Sequence, residues 1–319
     1  MRVVHWTLGN GSGLDNVAKD LAAGECLLGL DSQILSSADQ NQWELGVGAD
    51  IHVSHSHVPD ICRDKGKIVW VGHGTPENCF HTSLEESLHA AHSFGDSWML
   101  VQYWLQHADA MVTFWPRHQK IWQSLCDKGR EVRCFPLGVN REFWRPQTSL
   151  GKWDGSPSLF TAENCHQIKW PWDIFLMWPW VTEEVPAARL HCFYLPRDQH
   201  RFWFPLVYRN GSAFKSHISP NVLSHDLLKN AFSSVDYVLN LVRYGDYNRL
   251  GLEAKACGAK VISFKGNPYA DFWLDEGNQV TQAEQLKAIL KGEVEPRKAE
   301  LPLGIQETAQ RMKELYESL

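Results

Sequence analysis

The sequence predicts an α/β protein made of two parallel-sheet halves, and three observations carry that expectation. Short runs rich in β-branched residues alternate with stretches whose apolar residues recur at helical spacing, the pattern of a parallel sheet crossed by helices. A polar segment rich in Gly, Ser and Pro, from Arg145 to Ser158, interrupts the alternation near mid-chain. Beyond it the strand and helix signals restart.

In the first half, Arg2 to Thr7 reads as a strand and Gly9-Asn-Gly-Ser-Gly13 as a turn. Leu14, Val17, Ala18, Leu21 and Ala22 then share one helix face. Ser12 followed by Asp15 resembles a capping box with Asp in place of Glu. Strands follow at Ile51 to Val53, Ile68 to Val71, Ala110 to Phe114 and Val132 to Phe135, with helices at Ser83 to His92 and Arg117 to Leu125. The second half reads strand Leu159 to Ala162, helix Trp172 to Val181, strands Ala188 to Leu195 and His217 to Ser219, and helix Ser224 to Phe232. It closes on strand Val235 to Leu241, helix Arg249 to Cys257 and strand Lys260 to Phe264. Asn248 suits the N-cap of that last helix and Gly258 its C′ position. The expected organisation is a Rossmann-like domain over residues 1–147, a second over 157–300, and a terminal helix over 301–319 for which packing back on the first half and packing on the second are both open.

A chain of 319 residues accommodates two domains of about 150 each, and a net charge of −6 supplies no basic field for nucleic acid or anionic membranes. Eight cysteines without a C-x-x-C pair point to reduced thiols rather than a zinc ribbon or a disulfide scaffold. The apolar run Trp170 to Val181 is too short to span a bilayer and holds Asp173 and two prolines, so no transmembrane segment is expected. The start, MRVVHWTLGNGSG, enters a strand without the apolar core of a signal peptide, and a cytoplasmic location is expected.

Several residues have chemistry to offer. The loop Gly11-Ser12-Gly13 precedes a helix, where backbone amides and the helix dipole favour a phosphate, although G-x-G-x-x-G is not met. His52, His55 and His57 with Asp60 are the nearest approach to a metal set, and no metal is expected. His73 stands between two glycines just past a strand, a position that lines a ligand crevice. Lys169 lies beyond the first strand of the second half, and Arg243, Asp246 and Asn248 form a polar loop before a helix. Glu253 sits inside that helix. It either pairs with Arg249 one turn back on an exposed face or faces a ligand at the sheet edge.

Taken in order, "GNGSGLDNVAKDLA", "DIHVSHSHVPD", "VGHGTPE", "DAMVTFWPRHQKIW", "RCFPLGVNREFWRP" and "LGLEAKACGAKVIS" resemble glycosyltransferases of the GT-B fold, in particular the retaining family 4 (glycosyl transferases group 1). The resemblance implies two Rossmann-like domains facing across a cleft, and transfer of a sugar from a UDP- or GDP-type nucleotide-sugar, without a metal or other cofactor. The implied acceptor is unidentified and could be a saccharide, a lipid-linked group or a nucleobase. Glu253 matches the family's ribose-holding glutamate, Lys169 the lysine at the donor diphosphate, His73 the histidine beside the transferred sugar, and Gly11 to Gly13 the amino-terminal loop. The family's first glutamate falls on Gly245 and its arginine on Asn164, so Asp246 and Arg243 are the nearby replacements. Rival readings are a catalytically degenerate nucleotide-sugar-binding protein, a GT-B epimerase or hydrolase, and a phage-type transferase acting on DNA bases.

Overall fold

A computed structural model describes residues 1–9, 11, 13–74, 101, 104–126, 130–148, 151–162, 172–193, 216–219, 223–242 and 249–319, with residues 172, 173, 175 and 216–219 described through their backbone alone. The chain divides into two units, Met1–Asn140 with Leu303–Leu319, and Arg141–Pro302.

The first unit is organised by β1 (Arg2–Thr7), whose residues alternate between two buried faces. It pairs in parallel with β2 (Asp31–Ser36) and β3 (Ile51–Ser54). β4 (Lys67–Gly72), β5 (Ala110–Thr113) and β6 (Val132–Cys134) extend the sheet, all parallel, in the order β2-β1-β3-β4-β5-β6. Val4 and Trp6 join a core with Ile68, Trp70, Trp104, Met111 and Trp122. The Trp70 and Trp122 rings meet edge to face with centroids 4.8 Å apart, the arrangement their quadrupoles favour. α2 (Pro116–Leu125) follows β5 and starts with Pro at its first turn, where a missing N–H costs nothing.

The opposite face of β1 is covered by α1 (Gly13–Leu27), against which packs α7 (Ile305–Glu317), the helix that returns from the far end of the chain. These helices approach closely because Gly24 and Ala309 are small: a Cβ on Gly24 would stand 2.9 Å from that of Ala309. Thr308 ties α7 to the segment after β6, accepting from the Gly138 amide at 2.9 Å and donating to the Pro136 carbonyl at 2.8 Å.

The second unit carries another parallel sheet, ordered β12-β11-β10-β7-β8-β9. Its strands are β7 (Ser158–Thr161), β8 (Arg189–Phe193), β9 (Ser216–Ser219), β10 (Tyr237–Asn240), β11 (Lys260–Phe264) and β12 (Phe272–Leu274). Counted from β7, this is the 3-2-1-4-5-6 order of dinucleotide-binding folds, with its winding reversed between β7 and β10. α3 (Trp172–Glu184) buries Ile174, Met177, Trp178 and Val181 and leaves Leu176 and Trp180 exposed, so the tryptophan-rich run is amphipathic rather than wholly buried. α4 (His225–Ser234) is capped by the Ser224 hydroxyl, which accepts from the Leu227 amide. α5 (Arg249–Ala256) ends at Gly258, whose φ of +86° suits a C′ glycine. α6 (Gln279–Leu290) packs against α3. Among the described residues, no helix is long and apolar enough to cross a membrane.

Candidate functional site

In each unit, polar side chains gather where the winding of the sheet reverses, at the carboxyl ends of the strands. Ligands bind there in open α/β sheets because the flanking crossovers part.

In the first unit the reversal lies between β1 and β3. His5 projects from β1 toward α1, His55 follows β3 and His73 follows β4. Their rings form a chain, with His5 Nδ1 3.0 Å from His55 Nε2 and His55 Nδ1 2.7 Å from His73 Nε2. At the inner end His5 Nε2 lies 2.9 Å from Glu25 Oε2, and Glu25 also accepts from Ser32 at 2.6 Å and Tyr316 at 2.8 Å. His5 and Glu25 are fully buried, His55 nearly so, and His73 is half-buried. Burial pushes the Glu25 carboxyl up, but the His5 charge and the bonds from His5, Ser32 and Tyr316 outweigh it, so the group titrates below the usual carboxylate range. Burial, followed by the fields of His73 and His5, holds His55 well below the ordinary imidazole value. Burial alone lowers His73 to about 3.

The metal set suggested by His52, His55, His57 and Asp60 is not assembled. His52 accepts the Trp6 indole N–H at 3.1 Å within the core, Asp60 pairs with Arg63 at 2.8 Å, and both His55 nitrogens are taken by other rings. Among the described residues no three His, Cys, Asp or Glu side chains converge as ligands would.

The glycine loop reaches α1 through Gly9 and Gly11 at φ of 69° and 72°, conformations costly for residues with a Cβ. The Gly11 amide donates to Asp15 Oδ2 at 2.5 Å, so the Asp of the capping pattern reaches back over the turn. That carboxylate is buried and puts negative charge where the bare loop would attract a phosphate. Gly13, the first residue of α1, is exposed, while Ser12 lies outside the described residues.

In the second unit Glu253, on α5 behind β10, is 5% exposed. Arg249 grips its Oε1 through Nε at 2.8 Å and Nη2 at 2.7 Å. The alternative of a surface ion pair is thereby corrected: Glu253 does pair with Arg249, but α5 turns this face toward the sheet and the pair is buried. Against Gly251 of the same helix lies a residue the sequence reading passed over, Asn240 at the end of β10. It is fully buried, and among the described residues neither its Oδ1 nor its Nδ2 has a hydrogen-bond partner. Gly251 makes room for it, since a Cβ there would stand 2.4 Å from Asn240 Nδ2. Thr161, at the end of β7, is likewise fully buried, with no partner for its hydroxyl among the described residues. Asn164, Lys169, Arg243, Asp246 and Asn248 lie outside the described residues.

No protein-family model matches the chain, and no curated protein matches it. Solved structures do. The sucrose-phosphate synthase of Thermosynechococcus elongatus is similar with a TM-score of 0.74 at 12% identity, over 100% of this chain and 98% of that one. The chain has the GT-B fold. Anabaena HepE in complex with UDP and glucose shares it at a TM-score of 0.69 and 10% identity, over 100% of both chains. The pneumococcal O-GlcNAc transferase GtfA in complex with UDP and GlcNAc matches at 0.61 and 11% identity, over 86% of this chain and 58% of that one. At such identities what is shared with these GT-B proteins is the fold.

Proposed function

We propose that this chain is a glycosyltransferase that moves a sugar from a UDP- or GDP-type nucleotide-sugar to an acceptor, without a metal and with retention at the anomeric carbon, as in glycosyltransferase family 4. The observation that carries this reading is the end-to-end fold match to Anabaena HepE, a protein seen with UDP-glucose. The second unit adds support: its strand order is that of nucleotide-binding sheets, and its reversal point offers the buried polar groups Glu253, Asn240 and Thr161.

Glu253 accepts the ribose hydroxyls, with Arg249 fixing its rotamer. Lys169 and the amino end of α5 near Asn248 take the charge that develops on the departing diphosphate, the largest electrostatic demand of the reaction. His73 stands beside the transferred sugar, and Asp246 and Arg243 replace the family acid and arginine absent at Gly245 and Asn164. The acceptor is a saccharide, lipid-linked group or nucleobase, and the reaction is cytoplasmic. A thermal-shift screen of sugar nucleotides tests the donor: a ligand at about 100 times its Kd stabilises by about 2.7 kcal/mol. No shift with any UDP or GDP sugar would refute the reading.

A second reading, nucleotide-sugar binding without transfer, is favoured by Gly245 and Asn164 standing where the family has charged groups. Calorimetric donor binding with no turnover across a broad acceptor set would select it.

A further inference from the structure

The chain from Glu25 to His73 has a polarity that follows from hydrogen-bond counting. A carboxylate only accepts, so His5 must donate through Nε2. A neutral His5 then has a bare Nδ1, which accepts from His55 Nε2–H; His55 in turn has a bare Nδ1, which accepts from His73 Nε2–H. With His5 neutral, all three rings are therefore Nε2–H tautomers, and His73 is left with a bare Nδ1 at the half-buried end of the chain.

We propose that Glu25, His5, His55 and His73 are a proton relay, in which a proton taken up at His73 Nδ1 appears as positive charge on His5 beside the Glu25 carboxylate. As His73 Nδ1 gains its proton, the His73 Nε2 proton passes to His55 Nδ1 and the His55 Nε2 proton passes to His5 Nδ1. No bond between heavy atoms changes. The product is a His5 imidazolium paired with Glu25, while His55 and His73 stay neutral in the opposite tautomer.

The surroundings favour this route. Burial disfavours the charge on His55 and on His73, whose imidazoles it holds below the ordinary value. Among the described residues the groups in contact with the relay are Ser32 on β2, Tyr316 on α7, both on Glu25, and the Phe114 ring, 5.6 Å from that of His73. Glu25 is thus the one carboxylate among these groups. The bare Nδ1 also selects its ligand: it accepts from a hydroxyl and repels a phosphate oxygen. Under the transfer function proposed above, on which this identification rests, the ligand group is a sugar or acceptor hydroxyl. Glu25, His5 and His55 are then positioning residues for His73.

Histidine ¹⁵N spectra of the full chain, titrated with acid, test the relay. The expected result is three Nε2–H tautomers at neutral pH, followed on acidification by an imidazolium at His5 with His55 and His73 switched to Nδ1–H. Glu25→Gln removes the charge that receives the proton, and the midpoint of this switch falls by at least one pH unit, a tenfold loss of proton affinity. Should Glu25→Gln fail to fold, Tyr316→Phe shifts the midpoint the other way, because a carboxylate with one donor fewer binds the imidazolium more strongly. Imidazolium on His73, an Nδ1–H tautomer at any of the three rings at neutral pH, or a midpoint that neither variant moves overturns the proposal. Calorimetry with sugar nucleotides runs in parallel: a relay switch without donor binding leaves the relay standing and removes the transfer function, and the converse removes the relay alone.

Discussion

Arg249 and Glu253 permit stability and donor binding to be separated. Both side chains are largely buried, 15% and 7% exposed, and the carboxylate is held twice by the guanidinium. Arg249→Ala takes both guanidinium bonds from a buried carboxylate and costs roughly 3 kcal/mol, the lower end for a broken buried pair. Glu253→Gln keeps the shape but weakens charge-assisted bonds, at roughly 1 to 2 kcal/mol. Neither single substitution is therefore a neutral control, as it would be on an exposed face. Replacing both, as Arg249→Met with Glu253→Leu, removes the two charges together, and stability returns to within about 1 kcal/mol of the parent. Donor binding does not return if Glu253 holds the ribose: Glu253→Gln lowers affinity about ten- to a hundredfold, and the double variant at least as much. Urea unfolding gives the stability of each protein, and calorimetry with UDP and GDP gives its affinity. A double variant that binds nucleotide within twofold of the parent would refute the ribose role and leave the pair a structural one.

His52 makes the fold acid-sensitive. Burial, then the Arg2 charge, lowers it to about 4, whereas the unfolded chain titrates near 6.5; the unfolded state binds the extra proton between those values, and stability falls as pH drops through that window. The expected loss is roughly 1.4 kcal/mol per pH unit, read from urea midpoints, and His52→Asn should remove that share of the slope. Gly251→Ala drives a Cβ into the Asn240 amide and costs roughly 1 to 3 kcal/mol of stability; a neutral outcome would show that Asn240 can move aside. Transfer activity is expected to survive EDTA. Loss of activity restored by Mg²⁺ or Mn²⁺ would assign the diphosphate charge to a metal instead of Lys169 and the α5 terminus.

What could be read from the sequence depended on how local the signal was. β1, β4, β5, β10 and β11 are apolar runs bounded by turns, and a strand buried on both faces leaves that mark in the sequence itself. β2, "DSQILS", leaves none: it is an edge strand with one buried residue, and its pairing with β1 is decided by tertiary contact. α6 escaped for a related reason, since Gln282 and Lys287 are buried on its apolar face and break the pattern. His73 and Glu253 stood out because each follows a strand at the edge where ligands bind. His5 and Glu25 did not, since a histidine within an apolar strand and a glutamate on an amphipathic helix are each ordinary, and only the fold brings them together. Tyr316 completes the group from a position 291 residues away from Glu25. Asn240 looked like the polar end of a strand, and the missing Cβ of Gly251 is what shows that space was kept for its amide.

The first unit is closed by a segment that the ribosome makes after the whole of the second. While residues 141–302 are being added, roughly ten to thirty seconds at ordinary elongation rates, α1 has no partner for its Gly24 face and Glu25 has no tyrosine hydroxyl. The second unit is continuous and already has all its strands when Leu303 is joined. Maturation thus runs against the order of the chain: the later-made unit can fold first, and the earlier-made one waits for α7. A chain interrupted before that helix would have a finished second unit and an open first one, with a buried-type carboxylate facing water and an apolar helix face available to chaperones and proteases. α7 is therefore also a mark that the residues of both units have been made, and His73 acquires its full supporting set of residues only in chains that carry it.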